Sequence, residues 1–153
     1  MIITMYQIDA FTDHVFGGNP AAVCPLDNWI SDGIMQNIAM ENNLSETAFF
    51  VKSKDGFEIR WFTPTAEIEL AGHPTLATAF VIFNHCNFKE DNIKFYSKSG
   101  ELFVAKDGDR LKMNFPSTPP VKAPKNSLLD RALGKKPSEL YYTRDYLAVF
   151  NTE

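Results

Sequence analysis

The chain has 153 residues, of which 44% are hydrophobic and 22% charged, and its formal net charge at pH 7 is −4. These values are typical of a soluble globular protein. Together with the lack of a basic stripe, they argue against a nucleic-acid partner. No run is long and apolar enough to span a membrane, and the N-terminus lacks the regions of a signal peptide. The sequence therefore predicts a cytoplasmic protein without a membrane partner.

Two cysteines, Cys24 and Cys86, are too few and too differently placed to form a disulfide framework. We expect a reducing compartment, in which both thiols are small buried apolar residues. His14, His73 and His85 show no metal-ligand spacing with each other or with the cysteines, and the sequence therefore predicts no metal site.

The first third of the chain predicts two strands and one helix. Residues 2–11 and 44–51 are rich in β-forming side chains. The Gly-Gly-Asn-Pro run at 17–20 is a turn signal, and it is either a plain turn or a loop whose Asn19 approaches a ligand. Ser31 is expected to cap a helix that ends near Asn42.

The stretch from Glu69 to Ala77 organises the sequence, because an apolar strand runs there into Gly72-His73. Pro74 is expected to open a helix, since proline fits the first helical turn. This helix is apolar nearly all round through Phe83, which predicts burial among strands. Its N-terminus is a natural place for a carboxylate or phosphate, with His73 beside it. The simpler interpretation is a strand-to-helix turn with a surface histidine.

The remaining residues predict a return strand at 57–62, a meander of strands at 93–97, 101–106 and 110–115, a short helix at 127–133 and a strand at 146–150. The composition changes at Pro116, where prolines become frequent. We therefore predict an N-terminal domain over residues 1–115, a Pro-rich linker over 116–125, and the start of an incomplete second domain over 126–153.

Three short segments could converge in one site: Gly18-Asn19, Ser45-Glu46 and Gly72-His73. Glu46 lies at the edge of an apolar strand, where a carboxyl group loses hydration and is suited to moving a proton to or from carbon. Alternatively, Glu46 is an ordinary carboxylate at a strand end.

Several ordered motifs occur along the chain: Phe-Gly-Gly-Asn-Pro-Ala-Ala-Val at 16–23, Asn-Asn-Leu-Ser-Glu-Thr-Ala-Phe at 42–49, Arg-Trp-Phe-Thr-Pro-Thr-Ala-Glu at 60–67, Gly-His-Pro-Thr-Leu-Ala at 72–77 and Tyr-Leu-Ala-Val-Phe at 146–150. With these motifs the chain resembles the N-terminal half of the PhzF-like family of phenazine biosynthesis proteins.

The resemblance implies an α+β fold of the diaminopimelate-epimerase type, in which a mostly antiparallel sheet wraps a central apolar helix. It implies an isomerase without metal or organic cofactor, in which Glu46 moves a proton within a small carboxylate-bearing substrate. The characterised member isomerises a dihydro-hydroxyanthranilate. Asn19, Ser45, Gly72, His73 and Thr75 are expected to bind the substrate.

The chain also departs from the family pattern. The Asp-Pro-x-x-Gly-Ser motif of the family's second half is absent, and Ala71 and Pro74 stand where relatives often have Cys and Ala. Pro74 removes one amide donor, so binding is expected to use the Thr75 and Leu76 amides or Thr75 itself. The alternative function is a truncated, non-catalytic half that folds or binds ligand only as a homodimer or with a partner.

Overall fold

The computed structural model describes residues 1–152, which divide into two units: unit 1 spans Met1–Phe115 and unit 2 begins at Pro116. In unit 1 the elements are β1 (Tyr6–Ala10), β2 (Asn19–Leu26), α1 (Asp32–Asn42), β3 (Thr47–Lys52), β4 (Phe57–Phe62), β5 (Glu67–Ile68), α2 (Gly72–His85), β6 (Asn92–Ser97), β7 (Gly100–Asp107) and β8 (Arg110–Asn114). In unit 2 they are β9 (Val121–Lys122), α3 (Ser127–Leu133), β10 (Glu139–Tyr142) and β11 (Tyr146–Val149).

The strands of unit 1 form one mixed sheet in the order β1-β2-β3-β4-β6-β7-β8, with β5 paired to β4. The pairs β2–β3 and β4–β6 are parallel, and the other pairs in this sheet are antiparallel. α2 contacts β1 and β2 at one end of the sheet and β8 at the other, so the sheet curls around the helix. The predicted α+β arrangement of a mostly antiparallel sheet around a central apolar helix is confirmed.

The central helix α2 is buried on most sides because its sequence has no continuous polar face. Val81 and Ile82 are fully buried, and each such side chain contributes about 1.5–3 kcal/mol. The buried hydroxyls of Thr75 and Thr78 donate to the carbonyls of Ala71 and Pro74 at 2.6 and 2.7 Å. The helix therefore enters the core without an unpaired hydroxyl, which would cost about 1–3 kcal/mol.

A second, smaller core lies on the outer face of the sheet under α1. It joins Met35 and Ala39 of the helix to Cys24, Phe49 and Phe62 of the strands. Burial raises the pKa of the Cys24 thiol to about 12. The prediction that both cysteines are buried is half wrong, since Cys86 follows the last turn of α2 and is exposed.

Two predicted element boundaries are corrected by the structure. α2 begins at Gly72 rather than at Pro74, because the first-turn amides of a helix need no intrahelical acceptor and proline is tolerated there. Asn19 and Pro20 do not form the predicted turn but begin β2, opposite Ala10 and Asp9. The turn signal belongs to Gly18, whose φ is +64°.

β1 and β8 are the two edges of the sheet, and within residues 1–152 each pairs with one neighbour only. A cavity of about 950 Å³ lies between them, lined by Gln7–Ala10 of β1, Arg110 and Leu111 of β8, and Leu76, Ala77 and Phe80 of α2. Phe80 is 43% exposed, although the helix around it is largely buried.

None of the described helices has the length and apolarity needed to cross a membrane.

Unit 2 contains the three-stranded antiparallel sheet β11-β10-β9 and helix α3. The Asn126 side chain caps α3 by accepting hydrogen bonds from the amides of Leu128 and Leu129, and Gly134 ends the helix with a φ of +69°. A short strand, β9, lies within the segment predicted as a linker. The interpretation of these residues as the start of a second domain stays a prediction.

An ion-pair network fixes β5 beside β4 at the outer surface. Arg60 donates from Nε and Nη2 to the two carboxylate oxygens of Glu67 at 2.7 and 2.8 Å, and from Nη1 to Asp32 at 2.9 Å. Lys98 also contacts Glu67. The hydrogen bonds from Arg60 outweigh partial burial and lower the pKa of the Glu67 carboxyl from 4.5 to about 2. The network ties β5 to both β4 and α1.

We predict that Glu67→Gln lowers the free energy of unfolding at pH 7 by about 1–2 kcal/mol, between the values for surface and buried ion pairs. Because the folded-state pKa is depressed, this stabilisation is present above pH 4.5 and is lost as the pH falls towards 2. Urea unfolding of both proteins should therefore show a difference that shrinks over this interval. Glu69→Gln, at an exposed position nearby, is the control; a difference that did not change with pH would contradict the prediction.

Candidate active site

Glu46 is placed by the turn that joins α1 to β3. Asn43, with a φ of +51°, ends α1 in the left-handed conformation, and the Asn42 side chain donates to the Thr47 hydroxyl at 3.1 Å. The backbone carbonyl of Glu46 accepts a hydrogen bond from the Ala22 amide at 3.2 Å. Glu46 therefore continues the parallel ladder between β2 and β3, one residue before β3 begins.

His73 is placed by the first turn of α2. The helix begins directly after the short strand β5 and the residues Glu69–Ala71, and it runs beneath β2 and β3. The His73 side chain is 9% exposed. Its position at the second residue of a buried helix brings the imidazole to the strand end that carries Glu46.

The predicted segments meet around the His73 ring. His73 Nε2 lies 3.2 Å from Glu46 Oε2 and 3.3 Å from Ser45 Oγ, and the Ser45 hydroxyl donates to Asn19 Oδ1 at 3.5 Å. One arrangement satisfies these contacts: the Nε2 proton of His73 is donated to Ser45, and the Ser45 proton is donated to Asn19. The structure therefore brings together Asn19, Ser45, Glu46 and His73.

Glu46 has an oxygen without a hydrogen bond. Its side chain is 18% exposed, but Oε2 itself is buried and has no hydrogen-bond partner among the described residues. The 3.2 Å separation from His73 Nε2 is an ion-pair distance without hydrogen-bond geometry, consistent with a ring proton directed at Ser45. A buried carboxylate oxygen with free lone pairs is able to accept a proton.

Gly72 and Thr75 contribute in different ways. In a helix whose N-cap is Ala71, the amides of Gly72 and His73 have no intrahelical acceptor, whereas the Ala71 carbonyl accepts the first helical bond, from the Thr75 amide. The Thr75 hydroxyl also donates to Ala71, and its side chain is fully buried. Neither donor group of Thr75 is free in this arrangement, so the helix start offers the Gly72 and His73 amides instead.

One buried polar side chain was not singled out from the sequence. Trp61 on β4 is 1% exposed, and its indole Nε1 is buried without a hydrogen-bond partner among the described residues. The strand pattern showed only that it faces the core.

The 950 Å³ cavity between β1 and β8 is lined by neither Glu46 nor His73. Among residues 1–152 no three His, Cys, Asp or Glu side chains are grouped to hold a metal ion.

A sequence model of the PhzC-PhzF family, described as phenazine biosynthesis-like protein, matches residues 8–149. The chain belongs to this family. It is 47% identical over 153 residues to an uncharacterized isomerase of Pseudomonas aeruginosa, a match that covers 100% of this chain and 59% of the relative. The predicted family resemblance is confirmed, and the chain spans about three fifths of the length of this PhzF-like relative.

Solved PhzF-family structures show the same fold. The crystal structure of a PhzF-family phenazine biosynthesis protein from Enterococcus faecalis matches 100% of this chain and 59% of that chain, with a TM-score of 0.92 and 47% identity. A predicted epimerase from P. aeruginosa matches 90% of this chain with a TM-score of 0.70. At 20% identity that second match shows the fold alone, and the predicted epimerase-like fold is confirmed.

We predict that Gly18→Ala destabilises unit 1 by at least about 2 kcal/mol, because a Cβ at this left-handed residue would lie 2.1 Å from the Ala10 carbonyl oxygen. Gly108→Ala is the matched control: its φ is +60° and a Cβ there meets open space, so we expect a cost of only about 1 kcal/mol. Urea denaturation measures both. Equal losses would contradict the role of the close approach beside Asn19.

Proposed function

We propose that this chain carries the proton-transferring part of a PhzF-like isomerase that acts on a small carboxylate-bearing substrate. Glu46 removes a proton from one carbon of the substrate and returns it to another, so that the double bond shifts within the molecule. Neither an oxidant nor a cofactor is needed for the atoms and electrons to balance. The observation that supports this role most is the buried, unpartnered Oε2 of Glu46, 3.2 Å from His73 Nε2.

The surroundings of Glu46 suit a base that also acts as an acid. As a carboxylate it offers a free lone pair on Oε2, and once protonated it can donate the same proton. His73 Nε2 lies 3.2 Å from this oxygen. Because His73 also contacts Ser45 and, through it, Asn19, the imidazole is held in one orientation. Glu46 is thus the proposed catalytic residue and His73 its neighbour in substrate binding.

The start of α2 is the proposed seat for the substrate carboxylate. The Gly72 and His73 amides have no intrahelical acceptor, and the helix dipole favours an anion at this end. Pro74 supplies no amide. Ser45 adjoins this seat through its 3.3 Å contact with His73 Nε2, and Asn19 adjoins it through Ser45. Thr75, which we predicted to bind directly, supports this seat through its hydrogen bond to Ala71 at 2.6 Å.

The names of relatives agree with an isomerase. Two P. aeruginosa proteins, 47% and 42% identical to this chain, are each named an uncharacterized isomerase. The chain covers 59% and 57% of their lengths, and we propose for it the isomerase-type activity that their names give.

We predict that this chain catalyses incorporation of solvent deuterium into dihydro-hydroxyanthranilate, and that Glu46→Gln abolishes it, because an amide cannot accept the transferred proton. Mass spectrometry of the substrate recovered from D₂O measures the exchange. Glu41→Gln, which changes an exposed carboxylate on α1, should leave the rate unaltered. Exchange that persists in Glu46→Gln would exclude the proposed base.

We further propose that two copies of the chain pair through three exposed apolar side chains of the loop between β1 and β2. Phe11, Val15 and Phe16 are 68%, 73% and 99% exposed, and clustered exposed apolar side chains are typical of association surfaces. This loop directly precedes Asn19, so pairing there would enclose the candidate site from one side. A two-fold symmetric dimer is the most common arrangement for such contacts.

We predict that sedimentation velocity shows a dimer at high micromolar concentration and that Phe16→Ser shifts it to monomer. Phe103→Ser is the control, because Phe103 is 44% exposed on β7, away from the loop in sequence and sheet order. A wild-type chain that is folded and monomeric at that concentration would refute the pairing.

A further inference from the structure

We infer that the indole N–H of Trp61 is a positioning donor for the Glu46 carboxyl, which it reaches through one buried water molecule. The inference deepens the proposed function of Glu46, since it assigns a partner to the oxygen that accepts the proton. The buried side-chain atoms without a hydrogen bond in residues 1–152 are one donor, Trp61 Nε1, and one acceptor, Glu46 Oε2.

An unpartnered buried indole N–H calls for an explanation. Leaving such a donor without an acceptor costs about 1–3 kcal/mol, and the great majority of buried polar groups in proteins are paired with protein or water. The other tryptophan follows this rule: Trp29 Nε1 donates to Glu58 Oε2 at 2.7 Å. Trp61 is only 1% exposed, so bulk solvent does not satisfy its donor.

The strand register places Trp61 close to Glu46. Trp61 pairs with Ala48 across the antiparallel β3–β4 ladder, and Glu46 precedes Ala48 by two residues on the same face. Residues in this diagonal relation lie about 7–8 Å apart, and their Cβ atoms are somewhat closer. Two hydrogen bonds through one water span about 5–6 Å between heavy atoms, which fits side chains that lean towards each other across that separation.

The second ladder partner of Trp61 connects it to the start of α2, which carries His73. On its second side Trp61 pairs with Ile68 of β5, and from Ile68 the chain reaches Ala71, the N-cap of α2, within three residues. Ala48, Trp61 and Ala71 belong to one buried cluster. Trp61 therefore lies between the strand end that carries Glu46 and the helix start that carries His73, on the inner face of the sheet.

A water molecule at this position would form hydrogen bonds to both side chains. It would accept a hydrogen bond from Trp61 Nε1 and donate one to Glu46 Oε2. The second bond would fix the carboxyl rotamer, while the other lone pair of Oε2 stays available. Buried waters typically make two to four such bonds to otherwise unsatisfied polar groups. Trp61 would thus act through Glu46 and would not touch the substrate itself.

The test is nuclear magnetic resonance of the ¹⁵N-labelled full chain, which needs no substrate. Each tryptophan gives one indole N–H resonance, and Trp29→Phe identifies that of Trp61. We expect Glu46→Gln to shift the Trp61 indole resonance, since the charge that polarises the bridging water is removed. Glu58→Gln is the positive control, because it should shift the Trp29 resonance and leave that of Trp61 in place. Glu41→Gln should shift neither.

A second measurement uses the unaltered chain and does not depend on any variant folding. We expect a cross-peak between the Trp61 indole proton and a long-lived water in a water-selective nuclear Overhauser experiment. No such cross-peak, or a Trp61 resonance that is indifferent to Glu46→Gln in a folded protein, would overturn the inference. Deuterium exchange into substrate reports separately on the proposed base, so failure of one proposal is distinguishable from failure of the other.

Discussion

The helix α2 has no polar face, and enclosing it is the constraint on which the rest of unit 1 depends. The sheet curls far enough for both β1 and β8 to contact the helix. A single sheet that encloses one central helix in this way restricts where along the sheet the helix can begin. That point lies beside the parallel pair β2–β3, where Asn19 begins β2 and Glu46 immediately precedes β3. The candidate site is thus a consequence of burying one helix.

The same constraint explains the geometry on which the proposed proton transfer depends. Glu46 lies one residue before a strand whose residues Thr47 to Val51 are all buried. Its carboxyl group therefore lies against the core, while its backbone stays hydrogen-bonded in the ladder. His73 arrives from the helix, and Ser45 and Asn19 hold the ring. Rigid elements therefore fix each polar group, which is the condition for proton transfer at a defined geometry.

Much of this arrangement could be predicted from the sequence. The apolar helix, the meander of β6 to β8 and the grouping of Glu46 with His73 follow from periodicity and from the family motifs. The errors have physical causes. Gly72 and His73 carry no helix signal of their own, and only packing against β2 and β3 extends α2 back to them. Pro20 suppresses a strand prediction, yet it is accommodated opposite Asp9. The pairing of Ser45 with His73, and the partnerless Trp61 indole, depend on rotamers that no sequence pattern encodes.

The two open edges of the sheet have a consequence for the behaviour of this chain in solution. Unpaired N–H and C=O groups along an edge are a template for addition of another extended segment, the first step of aggregation. β8 is protected by the exposed charges of Arg110 and Lys112, which act as gatekeepers. β1 has no basic residue between Tyr6 and Ala10. Misassembly of the isolated chain should therefore begin at β1, where a charge in place of the exposed Gln7 would improve solubility and leave Ala10, the ladder partner of Asn19, unchanged.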